Sequence, residues 1–353
     1  MDMIRSGITL LGLGLVVGCA RWQLRQQRRQ DFLGEVVLIT GGSRGLGLEI
    51  ARRLADEGAR LALLARDETE LRRAAEELRR RGADVHYERC DIRDPDEVRD
   101  AVRNVRREMG PVDVLMNAAG VITTGPIEHM EREDFEQSMD VHFWGPLYLI
   151  EQVAPHMMER ARGRIVNVSS IGGLVAIPHV TPYCASKFAL TGLSDGLRAE
   201  LAKDNIRVTT VCPGLMRTGS HLQAQFKGQH RTEYAWFAIG NNFPLASVSS
   251  GYAAQRIIEA CRHGDPSLVI GLPAKLLHWV NALMPGVFAA ATAAVARLLP
   301  KPNGRAGDER RLGRESASHL TPAWLTRLSD EAAMRNNEAD FDLRRANMRV
   351  ERF

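Results

Sequence analysis

Short apolar runs alternate with longer charged segments from Glu35 to about residue 270. The charged segments, such as 68–81 and 95–109, have apolar residues at helical spacing. The apolar runs are typical of short buried strands and lie at residues 36–40, 61–65, 85–90, 112–116, 164–168, 208–212 and 268–270. This alternation predicts an α/β fold, a doubly wound, parallel, seven-stranded sheet with helices on both faces. Ligands of such sheets bind at the carboxyl ends of the strands.

The amino-terminal stretch has a different pattern. Residues 6–20 carry no charge, and Arg21, Arg25, Arg28 and Arg29 follow. Fifteen residues are short for a span, which needs about 20. We interpret residues 1–30 as an apolar membrane-anchor helix with a basic linker, and the arginines favour a cytoplasmic location for the domain that follows. Two alternatives stay open: a cleaved signal peptide, because residues 16–19 resemble a lipoprotein processing site, and a helix packed on the protein.

A second uncharged stretch lies near the carboxyl end. Residues 276–296 contain no Asp, Glu, Lys or Arg, but Pro285 and Gly286 interrupt them. The sequence predicts two helices broken at Pro285, so that residues 273–300 form a lid or lie on the membrane surface, with a true second span as the alternative. Residues 301–353 are rich in charged and polar side chains, which predicts a loosely ordered tail with one short helix near residues 322–336.

Composition excludes several classes of function. The net charge of +4 is small beside 90 charged side chains and gives no sign of nucleic-acid binding. The five cysteines are scattered and odd in number, so they form neither a metal-binding pattern nor a disulfide framework. A reducing compartment suits them best.

The first candidate site is a glycine-rich turn. Residues 36–47 read as an apolar strand that runs through Gly41, Ser43, Arg44, Gly45, Leu46 and Gly47 into a helical segment at residues 48–57. Glycines allow a tight turn and close approach of the backbone to a diphosphate, and the helix that follows offers free N–H groups. The strand before the turn and the helix after it predict a dinucleotide site.

The second candidate site combines Ser170, Tyr183 and Lys187. Four residues separate the tyrosine from the lysine, which places them on one face of a helix. A free tyrosine has a pKa near 10, and a nearby ammonium group is expected to lower it toward the working range. A serine hydroxyl can hold a substrate oxygen while the tyrosine moves a proton. This spacing therefore predicts a hydride-transfer site.

With these motifs and the segment from Asn117 to Gly120, residues 33–272 resemble the short-chain dehydrogenase/reductase family. The resemblance implies a Rossmann-like catalytic domain over residues 31–272, an NADP(H)-dependent oxidoreductase acting on an alcohol or its carbonyl. It implies that Lys187 holds the nicotinamide ribose and that Tyr183 is the general acid/base. Further residues match family positions at the cofactor, namely Asp91, Ile92, Asn117, Pro213 and Thr218. Residues 183–190 look most like members that act on steroids and retinoids.

Two arginines decide the predicted cofactor. The position that often carries an acidic residue in the family is Ala65, Arg66 follows it, and Arg44 lies in the glycine turn. An acidic side chain binds the free ribose hydroxyl of NAD, whereas arginine binds a 2′-phosphate with two parallel hydrogen bonds. We therefore predict NADP(H). Asp67 keeps NAD as an alternative, since a slip of one residue would bring it to the ribose.

One position departs from the family. Many relatives carry an asparagine in the helix after the fourth strand, where it holds a water that connects the lysine to solvent, and His142 stands there in this chain. Imidazole can both donate and accept hydrogen bonds. We hypothesise that His142 takes over this relay; simple packing in the helix is the alternative.

The substrate is expected to contact residues 172–182 and 216–247. These segments contain apolar and aromatic side chains: Leu174, Ile177, Phe226, Tyr234, Trp236, Phe237 and Phe243. They favour a small lipophilic substrate, although they may equally pack the lid. Alternatives are a reductase of 3-oxoacyl chains or keto-sphingoid lipids and a non-catalytic NADP-binding sensor. Relatives often pair through the helices equivalent to residues 136–156 and 182–203, which suggests a homo-oligomer.

Overall fold

The computed structural model describes residues 20, 22–243, 246–318, 320–321 and 323–338. The predicted amino-terminal anchor lies almost wholly outside the described residues, as do residues 339–353. Residues 22–27 are helical, and Arg25 forms an ion pair with Asp265 at 2.8 Å.

One seven-stranded sheet organises the chain. Its order is β11-β7-β6-β4-β1-β2-β3, and every neighbouring pair is parallel. The predicted parallel seven-stranded sheet is confirmed. The strands are β1 (Val36–Thr40), β2 (Arg60–Ala65), β3 (Val85–Arg89), β4 (Val114–Asn117), β6 (Gly163–Val168), β7 (Ile206–Pro213) and β11 (Ser267–Ile270). Each of the seven predicted runs forms a strand, and the strand ends differ from the predicted ones by at most two residues.

The core lies on both faces of this sheet. All five residues of β1 are buried, because alternate side chains of a strand point to opposite faces and both faces are covered. Val37 and Ile39 pack with Leu48 and Leu54, whereas Leu38 packs on the other face with residues such as Val102.

Helices connect the strands. In chain order they are α1 (Gly45–Asp56), α2 (Glu68–Arg80), α3 (Pro95–Met109), α4 (Arg132–Met139), α5 (Gly145–Glu159), α6 (Thr181–Glu200), α7 (Ser220–Gln223), α8 (His230–Asn242), α9 (Ser250–His263), α10 (Leu272–Leu283), α11 (Pro285–Ala296), α12 (Gly313–Ser316) and α13 (Ala323–Arg335). A π-helical turn, Asp140–Trp144, joins α4 to α5. Two small sheets outside the main one were not foreseen: β8 (Leu215–Arg217) pairs with β10 (Ser247–Ser249), and β9 (Gln225–Phe226) lies between β5 (Thr123–Thr124) and β12 (Arg311–Leu312).

The uncharged stretch near the carboxyl end forms α10 and α11, which meet at Met284 and Pro285. Only Ala274 is buried in α10, and no residue of α11 is. Each helix has 12 residues and is therefore about 18 Å long, whereas a bilayer core is about 30 Å thick. None of the helices in the described part of the chain is long and apolar enough to cross a membrane.

The described part of the carboxyl-terminal segment differs from the expected loose tail. Strand β12 pairs with β9, and α13 follows where a short helix was predicted. Ala333, Ser329 and Asn336 are fully buried. The prediction of a loose tail from composition was wrong for these residues, because a segment that packs through small side chains and hydrogen bonds needs few apolar residues.

Candidate active site

The predicted catalytic side chains meet at the carboxyl edge of the sheet. Ser170 follows β6 by two residues, and Tyr183 and Lys187 lie on adjacent turns of α6. Lys187 Nζ is 5.7 Å from the centre of the Tyr183 ring and donates a hydrogen bond of 2.8 Å to the Val168 carbonyl. Ser170 hydrogen-bonds the phenol of Tyr183. Strand ends and one helix thus assemble the trio.

The electrostatics of Tyr183 differ from the expectation. Burial raises the pKa of Tyr183 to about 12, and the hydrogen bond from Ser170 only partly opposes this rise. Burial outweighs the expected lowering by Lys187, whose Nζ lies over the Tyr183 ring at 5.7 Å from its centre. Tyr183 is therefore a protonated phenol at neutral pH and suits proton donation.

Lys187 is buried and has no carboxylate partner among the residues that the structure describes. Only 4% of its surface is exposed, and burial lowers its pKa to about 7. The physical cause is the loss of water around the ammonium group, which a single carbonyl does not replace. Lys187 can therefore exchange a proton near neutral pH.

The structure separates the two neighbouring serines. Ser169 Oγ donates to the Lys187 carbonyl at 3.0 Å and lies 2.9 Å from Thr191 Oγ1, so it is held by α6. Ser170 Oγ accepts the Gly172 N–H at 3.0 Å and remains beside Tyr183. Ser170 therefore has the geometry of a catalytic hydroxyl, and Ser169 does not.

His142 lies in the π-helical turn, with 1% of its surface exposed. Its Nε2 accepts the Val121 N–H at 3.1 Å, so Nδ1 carries the proton and donates to Ser186 Oγ at 2.8 Å. The Ser186 hydroxyl in turn donates to the Tyr183 carbonyl at 2.8 Å. Burial, with Lys187 nearby, holds the pKa of His142 well below its usual range. A neutral imidazole thus connects the loop after β4 to the helix that carries Tyr183.

The glycine turn has the shape of a diphosphate cradle. A Cβ on Gly47 would lie 2.2 Å from the Gly41 carbonyl oxygen, so only glycine closes the turn. Gly41 has a φ of +66°, and a Cβ there would lie 2.9 Å from Ala119 Cα. The Thr40 hydroxyl accepts N–H groups of Ala118 and Ala119 at 3.1 and 3.2 Å, which holds the strand ends together. The turn leads into α1, whose first N–H groups suit a phosphate.

The residues around the 2′-position have unexpected partners. Arg66 is exposed, but Arg44 pairs with Glu70 at 2.9 Å, and Ser43 Oγ donates to the same carboxylate at 3.0 Å. Sequence reasoning missed Glu70, although its place one turn into α2 is a usable signal. Asp67 caps α2 by accepting the Glu70 N–H at 2.9 Å. Asp67 is therefore committed to the helix rather than to a ribose.

The remaining predicted cofactor residues lie along the same edge. Asp91 follows β3 and is paired with Arg93 at 2.6 Å, while Ile92 is buried beside Gly145. Asn117 ends β4 and donates to Asn167 Oδ1 at 2.8 Å, which links β4 to β6. Pro213 ends β7, Thr218 is buried three residues beyond Leu215, and Leu46 is partly buried and packs against the core.

The carboxyl-terminal segment also reaches this site. The Asn336 carbonyl accepts the Gly45 N–H at 2.9 Å, and Glu338 accepts the Gly219 N–H at 2.6 Å. Asn337 Nδ2 donates to the Ser43 carbonyl at 2.9 Å. Their sequence gives no periodic or motif signal, so these contacts could be found only from the folded chain.

The expected substrate wall is mostly a small core of its own. Phe226 and Tyr234 are buried together, with Phe237 packed against them. Beside them, Glu233 is fully buried and accepts hydrogen bonds from His179 at 2.9 Å and from Trp236 Nε1 at 2.6 Å. The aromatic residues therefore shape the region from within, and Phe243 is 52% exposed.

Known proteins resemble the chain over this architecture. The family model described as short chain dehydrogenase matches residues 35–227. A Streptomyces violaceoruber protein named granaticin polyketide synthase putative ketoacyl reductase 1 is 37% identical over 240 residues, which cover 66% of this chain and 88% of the relative.

Two solved structures extend the comparison. An actinorhodin polyketide ketoreductase with NADPH has a TM-score of 0.61 and 32% identity, covering 67% of this chain and 95% of that one. L-sorbose reductase from Gluconobacter frateurii, complexed with NADPH and L-sorbose, has a TM-score of 0.62 and 27% identity, covering 69% and 97%.

The two solved structures share the fold and contain NADPH, the cofactor that the glycine cradle and the two arginines indicate. The chain belongs to the short-chain dehydrogenase family and is an NADP(H)-dependent oxidoreductase that acts on CH–OH and keto groups.

Proposed function

We propose that the protein reduces the carbonyl group of a lipophilic substrate, with Tyr183 as the proton donor. The arrangement of Ser170, Tyr183 and Lys187 carries this proposal, because it brings a hydroxyl, a protonated phenol and an amine to one point at the sheet edge. A phenol with a pKa of about 12 is protonated at pH 7 and is still far more acidic than the alcohol that forms when it protonates the substrate alkoxide.

Reduction adds a hydride to the carbonyl carbon and a proton to its oxygen. When bound, NADPH supplies the hydride. Ser170 donates a hydrogen bond to the substrate oxygen and stabilises its growing negative charge. Tyr183 releases its proton to that oxygen, and Lys187, whose pKa is about 7, can return a proton to the phenolate.

His142 keeps its predicted role in this scheme, with a more definite geometry. Its two nitrogens are used by Val121 and Ser186, so any relay would pass through the Ser186 hydroxyl and not directly to Lys187. His142→Asn tests the idea. An unchanged pH–rate profile would show that the side chain only positions α6.

The helices α10 and α11 support a lipophilic substrate at a membrane surface. Both helices expose apolar side chains, with Trp279 and Leu283 of α10 at 64% and 77% exposure and Val287 of α11 at 60%. No acidic residue occurs between Asp265 and Asp308, whereas Lys275, Arg297, Lys301 and Arg305 do. The cations complement anionic headgroups, and the exposed apolar side chains suit insertion into the membrane interface.

This apolar pair is joined to the substrate side of the site. Ala274 and Phe288 pack against Ile171 and Val175, which follow Ser170. Asn281 Nδ2 reaches the Leu174 carbonyl at 3.4 Å. A substrate dissolved in the bilayer could therefore enter beside the catalytic loop.

A 3-oxoacyl chain is the second candidate substrate, because the granaticin relative is named a ketoacyl reductase. The decisive assay follows NADPH oxidation with steroids, retinaldehydes, fatty aldehydes, a 3-oxoacyl thioester and a sugar ketone. Turnover of a lipophilic carbonyl, abolished in Tyr183→Phe with NADPH binding retained, supports the proposal. Turnover of the sugar alone would refute it. NADPH binding without any turnover would favour a sensor.

Membrane docking has its own test. We expect the full chain to sediment with phosphatidylglycerol vesicles and the double variant Trp279→Ser, Leu283→Ser to bind at least about tenfold more weakly. Leu33→Ser, which changes an exposed leucine elsewhere, is the matched control and should bind normally. Equal binding by the double variant would exclude the helix pair as the docking element. Loss of a dimer without loss of vesicle binding would assign these helices to a second copy.

A further inference from the structure

Residues Asn336, Asn337 and Glu338 cross the glycine turn directly. The Asn336 carbonyl accepts the Gly45 N–H at 2.9 Å, and Asn337 Nδ2 donates to the carbonyls of Ser43 and Glu70 at 2.9 and 3.1 Å. This N–H group belongs to the set that binds a diphosphate in dinucleotide sites. The segment therefore occupies an N–H group of the glycine turn that a diphosphate would otherwise bind.

The carboxylate of Glu338 lies between the two sides of the cradle. On one side it accepts the Gly219 N–H at 2.6 Å, next to Thr218. On the other side, a Cβ on Gly45 would lie only 3.0 Å from Glu338 Oε1. A carboxyl group that accepts a backbone N–H from the loop after β7 and lies against Gly45 of the glycine turn takes the place of a phosphate.

We infer that residues 336–338 are an intramolecular occupant of the diphosphate cradle and that NADPH binds only when this segment leaves. The inference rests on the assignment of NADP(H) as the cofactor. The segment and the cofactor then compete for one place, so the carboxyl-terminal segment sets the apparent affinity for NADPH.

The anchoring of the segment allows local release. Arg52 donates to Asn336 Oδ1 at 2.7 Å and to the Arg335 carbonyl at 2.8 Å, while it also pairs with Glu77 at 2.7 Å. Arg52 thus keeps a carboxylate partner when residues 336–338 move. Glu338 would gain water on release, whereas α13 can stay packed through Ala333.

The test measures the dissociation constant of NADPH by fluorescence titration of the full chain. Glu338→Ala should lower it by about tenfold, which corresponds to a docked population of about 90% in the wild type. Glu331→Ala removes an exposed carboxylate from α13, the helix that precedes this segment, and should leave the dissociation constant unchanged. Equal and tight binding by wild type and Glu338→Ala would overturn the inference alone. Absence of NADPH binding in both would overturn the cofactor assignment as well.

Hydrogen exchange provides a measurement that needs no variant. Saturating NADPH should raise the exchange of backbone amides in residues 333–338 and lower that of the glycine turn in the same sample. Protection of both segments by NADPH would mean that the tail closes over the cofactor, and the competition would be wrong.

The pH dependence should have a definite sign. Burial raises the pKa of Glu338 to about 7, with Arg44 and His221 opposing the rise and Glu70 adding to it. A carboxyl group whose pKa is raised on docking stabilises the docked state at low pH, and this is lost as the pH rises through about 7. NADPH should therefore bind more tightly at pH 8 than at pH 6, and Glu338→Gln should remove this part of the change. An identical pH change in Glu338→Gln would contradict the docked carboxylate.

Discussion

Two buried lysines differ in their charge state: Lys187 lies in the candidate active site, and Lys227 directly follows β9. Lys187 is 4% exposed, and among the described residues its ammonium group hydrogen-bonds only the Val168 carbonyl. Its pKa falls to about 7. Lys227 is 1% exposed and pairs with Glu131 at 2.9 Å and Asp134 at 2.8 Å, and these carboxylates raise its pKa despite burial. Burial alone therefore does not decide the charge state; the partner does.

The difference separates a residue held for chemistry from one held for structure. An unpaired buried amine destabilises the folded state, so it persists where a reaction uses it. The paired lysine instead connects β9 to α4, and Arg310 joins the same Asp134, which links the carboxyl-terminal segment to the domain. Substitution of Lys187 should therefore lower turnover and leave stability intact, whereas substitution of Lys227 should lower stability and leave turnover nearly intact.

The largest effect should come from Lys187→Met. We expect turnover of the best carbonyl substrate to fall by about 10²- to 10⁴-fold, because the proton-returning amine is lost. The free energy of unfolding should stay the same or rise, since an apolar side chain replaces an unpaired ammonium group. Steady-state kinetics and urea unfolding check the two halves. A large loss of stability would show that Lys187 is structural and would remove the contrast.

Lys227→Met should do the reverse. It leaves the fully buried Asp134 with one cationic partner fewer, and breaking a buried pair in this way costs about 3–5 kcal/mol. Turnover below the unfolding transition should change less than about threefold. Lys203→Met, at an exposed lysine, is the control and should be neutral in both measurements. Loss of turnover without loss of stability in Lys227→Met would contradict a structural role.

Lys187 and Lys227 also show how far sequence reasoning reached. Lys187 was predictable because it stands in a motif with Tyr183 and Ser170, and the sheet that gathers them follows from seven apolar runs. Lys227 was not predictable, because its partners Glu131 and Asp134 lie about 95 residues upstream. These ion pairs depend on how the small sheets pack. The same limit hid Glu338, whose contacts join residues more than 100 positions apart. Local patterns predicted the main helices and strands, whereas the long-range polar contacts could be found only in the folded structure.

The pH dependence of stability sharpens the comparison. Below pH 7 Lys187 is protonated in both states and its burial penalty is complete. As the pH rises from 7 toward 10.5, the folded state releases the proton first, so the free energy of unfolding should rise. Between pH 7 and 9.5 the gain is at most about 3 kcal/mol, from 1.36 kcal/mol per pKa unit. The measured quantity is the difference between wild type and Lys187→Met, which cancels other groups. A flat difference would mean that Lys187 keeps its proton.

The smallest effect should come from a third cation, which is paired but only partly buried. Arg44 and Glu70 lie 2.9 Å apart with side chains 33% and 14% exposed, so water already screens the pair. Glu70→Gln frees Arg44 for a 2′-phosphate, and the ratio of NADPH to NADH affinity should rise by about 1.4- to fivefold, the range of a pair that contributes about 0.2–1 kcal/mol. Using the ratio cancels any displacement of residues 336–338. Glu68→Gln, exposed in the same first turn of α2, is the control for net charge. A similar rise in both variants would mean that general electrostatics, and not the release of Arg44, sets the cofactor preference. A rise in Glu70→Gln alone, which disappears when Arg44→Ala is added, would locate the 2′-phosphate at the Arg44 guanidinium.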